Sequence, residues 1–113
     1  MSESPIDLAT FSELKEAVGD DFVAELVTTF LDEATGMLAE LRSAAENSNA
    51  ESYRRAAHSI KSNASTFGAE DLAELARKVE LGPCPDAGDL KDADALEAEF
   101  QHSARALRSL IDG

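Results

Sequence analysis

The three prolines of this chain, Pro5, Pro83 and Pro85, all lie outside the stretches in which apolar residues recur at spacings of three and four. Such spacing places those residues on one face of a 3.6-residue-per-turn helix, so the pattern commits the chain to helices. The longest run comprises Phe22, Val23, Leu26, Val27, Phe30, Leu31, Ala34, Met37, Leu38 and Leu41. Asp20 is the predicted cap of that helix, and the polar stretch ENSN its end. Ahead of it, Thr10 and Glu13 have capping-box spacing and predict a short first helix closed by Gly19. Ser48 and Glu51 repeat the capping-box spacing at the start of a third helix, for which Gly68 supplies the left-handed residue after the end. A fourth helix follows at once with Leu72, Leu75, Ala76 and Val79 on one face. GPCPDAGD is a loop. The last helix carries Ala93, Leu96, Phe100, Leu107, Leu110 and Ile111.

Four substantial amphipathic helices with short connections predict an all-α fold, an antiparallel up-down-up-down four-helix bundle with a short extra N-terminal helix as a lid. At 113 residues the chain has the size of one domain, and residues 1–6 are expected to be a flexible N-terminus. No internal repeat or strand-like alternation interrupts this pattern.

Charge narrows the partners. The chain has 23 acidic and 10 basic residues, a net charge of −13. Nucleic acids and anionic membranes need a basic footprint that such a chain lacks, so neither is expected as a partner. No apolar run reaches bilayer length, and the start MSESPIDLAT has no charged-then-apolar leader. Cys84 has no second cysteine to pair with, which suits a reducing compartment, and a cytoplasmic location is expected. The basic residues are not evenly spread. Between Arg54 and Lys78 five of them (Arg54, Arg55, Lys61, Arg77, Lys78) outnumber three acids (Glu70, Asp71, Glu74), so this window is net +2 and the remainder −15. A basic island on an acidic chain suggests a site for a small anion.

His58 stands within that island. On the third helix Tyr53, Ala56, Ala57, Ile60, Ala64 and Phe67 share a core-facing arc of roughly 100°, and His58 lies about 140° from its centre. Ser62 and Ser65 flank it, and Lys61 is about 60° round the helix. The imidazole should therefore stand above a low, polar surface. An exposed ring is largely neutral at pH 7, so one nitrogen can act as a nucleophile or phosphoryl acceptor. A cation one turn away balances the charge of an attached phosphoryl group, and small neighbours let a second protein approach in line.

These residues resemble a known family. AAHSIKSNASTFGAEDLAELARKVE is similar to the histidine-containing phosphotransfer (HPt) domain, whose signature is a His, a Lys three residues later, a small residue next, and a Gly near the helix end before a Leu-rich helix. His58, Lys61, Ser62, Gly68 and Leu72 occupy those positions. FSELKEAVGDDFVAELVTTFLDEA is similar to the opening helices of the family, and the likeness runs to about Glu80. The resemblance implies a four-helix bundle that takes a phosphoryl group on His58 and exchanges it with an aspartate of a response-regulator receiver domain, upstream of which stands a histidine kinase or hybrid kinase. Lys61 would balance the phosphoryl charge. Glu80 stands where family members place a Gln or Glu against the histidine ring; the plain alternative is a solvated acid at a helix end. Arg54, Arg55, Ser62, Ser65 and Gly68 would shape the docking surface. The family has Gly directly after the Lys, where this chain has Ser62, a departure that bears on receiver choice and transfer rate.

Other chemistries fit less well. Glu99 and His102 have the spacing used by di-iron bundles, but the second such pair is lacking, because Arg55 stands at the matching position before His58. No metal is expected. Nor is there a Gly-rich phosphate loop or an ATP signature, so the chain is expected to be a phosphocarrier without kinase activity, binding no cofactor, with Mg²⁺ on the receiver partner. Its expected form is a free-standing relay protein, since the chain opens at Met1 with no long linker, and a monomer, since no exposed apolar stripe is evident. The competing reading is a helical-bundle interaction module that binds a kinase or receiver without carrying phosphate.

Overall fold

The computed structural model describes residues 5–86 and 88–112. Among the described residues five helices follow one another: α1 (Leu8–Val18), α2 (Asp20–Glu46), α3 (Ala50–Thr66), α4 (Glu70–Leu81) and α5 (Lys91–Asp112). No strand occurs among the described residues. None of the described helices is long and apolar enough to cross a membrane.

The helices sit where the apolar spacing places them, but three caps differ. Asp7, not Thr10, caps α1: its carboxylate accepts the Ala9 N–H at 3.1 Å, and Thr10 donates its hydroxyl to the same side chain at 3.0 Å. Asp7 wins because the chain is anchored there, its own N–H donating to the Gly68 carbonyl at 2.7 Å. Of the start expected to be flexible, Pro5 and Ile6 are buried at this anchor; residues 1–4 lie outside the described residues. Asn49, not Ser48, caps α3, accepting the Ser52 N–H at 3.2 Å, while Glu51 pairs with Arg55 one turn on at 2.8 Å. Asp20 is the first residue of α2 rather than its cap. Gly19 (φ +91°) stands between α1 and α2, and the carboxylates of Asp20 and Asp21 meet the positive end of the helix dipole instead.

Ser48 is taken by another task. The N–H of Asn49 donates to the Ala44 carbonyl and that of Ser48 to the Ala45 carbonyl, a Schellman closure of α2 that holds Ser48 at φ +52°. A left-handed backbone costs an L-residue roughly 1–2 kcal/mol, part of which glycine returns through its freer unfolded chain. Ser48→Gly is therefore expected to stabilise the fold by about 0.5–1 kcal/mol. A lower urea midpoint than the parent's would contradict this account of the turn.

The 27-residue α2, about 40 Å long at 1.5 Å per residue, matches the 42 Å long axis of the molecule. It packs against α3 on one side and α5 on the other, α4 packs against the same two helices, and α1 lies on α2. At the centre the Phe30 ring stacks on Phe67 with centroids 4.9 Å apart and meets the edge of Phe100 at 6.3 Å. Polar ties fix α5: Arg42 reaches Asp94 at 2.9 Å, and Tyr53 donates its hydroxyl to Asp92 at 3.5 Å. Burial, with Asp92 alongside, pushes the Tyr53 phenol up to about 12.

One apolar residue expected in the core lies outside it. Phe22, expected on the buried face of α2, is 50 % exposed. It lies about 120° from the middle of the arc formed by the buried residues of α2 from Val23 to Ala45, so it points past the edge of the packed face.

Candidate functional site

The buried face of α3 is the expected one. Tyr53, Ala56, Ala57, Ile60, Ala64 and Phe67 are all buried, and burying that face turns His58 outward, its side chain 56 % exposed. Phe67 caps the helix and Gly68 follows at φ +76°, with the Ala69 N–H on the Ala64 carbonyl and the Gly68 N–H on that of Ser65. This closure turns the chain so that α4 returns alongside α3. Glu80, 22 residues beyond His58, thereby comes to rest beside the imidazole.

His58 Nδ1 lies 2.9 Å from Glu80 Oε2. A carboxylate only accepts, so Nδ1 carries the proton and donates it, which leaves the lone pair of a neutral ring on Nε2. The other oxygen, Oε1, lies 3.1 Å from the Lys61 ammonium. Glu80 is thus shared, one oxygen per partner, with its side chain only 20 % exposed. Lys61, foremost, and then the His58 ring hold the Glu80 carboxyl below its ordinary value, against the opposing effect of burial. The reading of Glu80 as a solvated acid is set aside by these two contacts.

The remaining expected residues divide. Ser62 and Ser65 are exposed on the outer side of α3, as is Arg54, one turn before His58 and with no ion-pair partner among the described residues. Ser65 and Lys61 line an open groove between α3 and α4 together with Arg77 and Glu74. Arg55 is exposed but engaged with Glu51. Gly68 is the exception: it is buried, and a Cβ there would meet the Asp7 carbonyl oxygen at 2.8 Å and Thr10 Cβ at 3.2 Å. It offers no surface to a partner; the close approach of Asp7 and its positive φ are what require glycine. On α5, Glu99 and His102 face one another at 3.5 Å.

Three large apolar side chains are exposed among the described residues, and none was in the expected set: Leu8, Phe22 and Leu81. Phe22 stands with Leu26 and Thr29 on the flank of α2, and Leu26 and Thr29 continue into a groove toward Asn63, Thr66 and Phe67 at the end of α3. Leu81, 69 % exposed, directly follows Glu80. The helical spacing assigned Phe22 to the core; its position at the rim of the α2 arc is the signal that marks it otherwise.

Comparison with protein families matches residues 25–111 to the Hpt domain. The chain belongs to the Hpt domain family. No curated protein and no solved structure matches it. Hpt domains act in phosphotransfer within two-component signalling, as carriers of the group rather than kinases. The matched stretch holds His58, Lys61 and Glu80, whereas α1 and Phe22 lie before it.

Proposed function

We propose that this Hpt domain is a phosphorelay intermediate: His58 accepts a phosphoryl group from, and returns it to, the aspartate of response-regulator receiver domains. The observation that carries this reading is the exposed imidazole whose Nδ1 is committed to Glu80 while Nε2 is left to react. In the forward step the Nε2 lone pair attacks phosphorus of the aspartyl phosphate. The N–P bond forms, the P–O bond breaks, and its electron pair leaves on the aspartate carboxylate. The Nδ1–H stays in place throughout, so this chain needs no general base. Lys61 balances charge on the transferring group, since catalysis of phosphoryl transfer is largely positioning and electrostatics. Mg²⁺ would be supplied by the receiver partner.

Docking is proposed on the outer side of α3 around Ser62, Ser65 and Arg54, with Arg55 at its border. Exposed Phe22 and half-buried Leu26 extend it along α2, an apolar addition suited to excluding water from the transfer site. The upstream donor is a histidine kinase or hybrid kinase. The short connections between successive helices suit an antiparallel bundle.

Incubation with a phosphorylated receiver domain tests the proposal. Label must pass to the parent protein in an acid-labile, base-stable form, and His58→Gln must take up none. Equal labelling of both proteins, or of neither, would overturn the carrier reading; binding of the receiver without labelling would favour the non-catalytic interaction module.

A further inference from the structure

We propose that Glu80 divides its charge between Lys61 and the His58 ring, and that this division sets how readily the phosphoryl group leaves. The inference rests on the carrier reading above and concerns its regulation. Its basis is the geometry of a single carboxylate with Oε2 2.9 Å from His58 Nδ1 and Oε1 3.1 Å from Lys61 Nζ. No other cation of the basic island is paired with Glu80: Arg55 is on Glu51, and Arg77 lies 3.9 Å from Glu74.

In the unmodified protein the Lys61 ammonium is neutralised by Glu80, and the ring receives only part of that carboxylate's charge. Bonding of phosphorus to Nε2 changes both partners. With Nδ1–H retained, the ring becomes cationic, while the phosphoryl oxygens bring negative charge to the surface that Lys61 shares. Lys61 is then drawn from Oε1 toward phosphate, and the charge of Glu80 falls more fully on the Nδ1–H. A carboxylate there keeps the proton on the ring, so that when the N–P bond breaks its electron pair returns to Nε2 of a neutral imidazole. Without that proton the leaving group would be imidazolate, and the bond would break slowly. Glu80 accordingly keeps the group transferable, and Lys61 restrains it.

The two side chains therefore act in opposite directions, which a merely structural role for either would not produce. Glu80→Gln retains an acceptor for Nδ1–H but gives up the charge and frees Lys61. Lys61→Ala removes the cation that restrains the phosphoryl oxygens and leaves the carboxylate no partner but the ring. The test uses phosphoramidate as donor, so no partner protein is needed: its N–P bond breaks, ammonia leaves, and phosphorus bonds to Nε2. After removal of the reagent, loss of phosphohistidine to water is followed at neutral pH, with thermal melts verifying that each variant is folded. The phosphorylated Glu80→Gln protein should persist roughly three- to tenfold longer than the parent, the scale on which charge pairs at a protein surface alter a barrier, and Lys61→Ala should decay faster. Equal or shorter persistence of Glu80→Gln, or no acceleration in Lys61→Ala, would overturn the inference while leaving the carrier reading intact. Failure of the parent itself to form phosphohistidine would overturn both.

Discussion

Phe30→Ala is expected to destabilise the protein by about 3–5 kcal/mol, the range for removing an aromatic ring from a packed core. Phe30 is 2 % exposed. Its ring is the contact through which α2 meets both Phe67 at the end of α3 (4.9 Å) and Phe100 of α5 (6.3 Å). Truncation would leave two aromatic faces without a partner and a void that helices of this length close only in part. Since domains of this size are stable by only about 5–15 kcal/mol, the loss should lower the melting temperature by roughly 15–25 °C. Phe30→Leu, which refills most of the space, should cost no more than about 1–2 kcal/mol. A difference between the two variants of less than about 1 kcal/mol in urea unfolding would show that the three rings do not organise the core.

Gly68→Ala is the second large effect, and its origin is different. A left-handed alanine costs roughly 1–2 kcal/mol by itself. Here the added Cβ also meets the Asp7 carbonyl oxygen at 2.8 Å, a backbone atom held in place by the 2.7 Å bond from the Asp7 N–H to the Gly68 carbonyl. Relief requires that Asp7 and buried Ile6 move away from the α3–α4 turn, loosening the anchor of α1. A total cost of about 3 kcal/mol is expected. Gly88, at φ +90° with nothing within 4 Å of its would-be Cβ, provides the control: Gly88→Ala carries the backbone cost alone, about 1 kcal/mol. Equal losses in the two variants would mean that the contact with Asp7 contributes nothing.

Gly68 also illustrates how far the sequence could be read. Its place after a helix of fixed period was legible, because a glycine following the last apolar residue of α3 is a local signal. The reason that no larger residue fits was not, because Asp7 lies some sixty positions earlier and nothing local announces the encounter. Caps failed for a related cause. Thr10 and Ser48 had the right neighbours in sequence, yet tertiary anchoring at Asp7 and the left-handed Ser48 moved both caps to adjacent candidates. The outward direction of His58 followed from the spacing of Tyr53, Ala56, Ala57, Ile60 and Ala64 alone. The approach of Glu80 to its ring came from the family resemblance rather than from periodicity, and the Lys61 contact on the second oxygen came from neither. Lys61 and Glu80 reside on different helices, so their pairing depends on how α4 is laid against α3. Phe22 shows the opposite limit: its three-and-four spacing was real, but a stripe wider than the core leaves its edge in water.

The central claim, that His58 is the residue that carries the phosphoryl group, is tested most directly by locating the group on the protein. Phosphoramidate-treated protein should give one phosphohistidine, with phosphorus NMR and coupling to the ring nitrogens placing it on Nε2 of His58. His102→Gln should leave the signal unchanged and His58→Gln should abolish it. A signal that survives His58→Gln, or one that is lost with His102, would contradict the account.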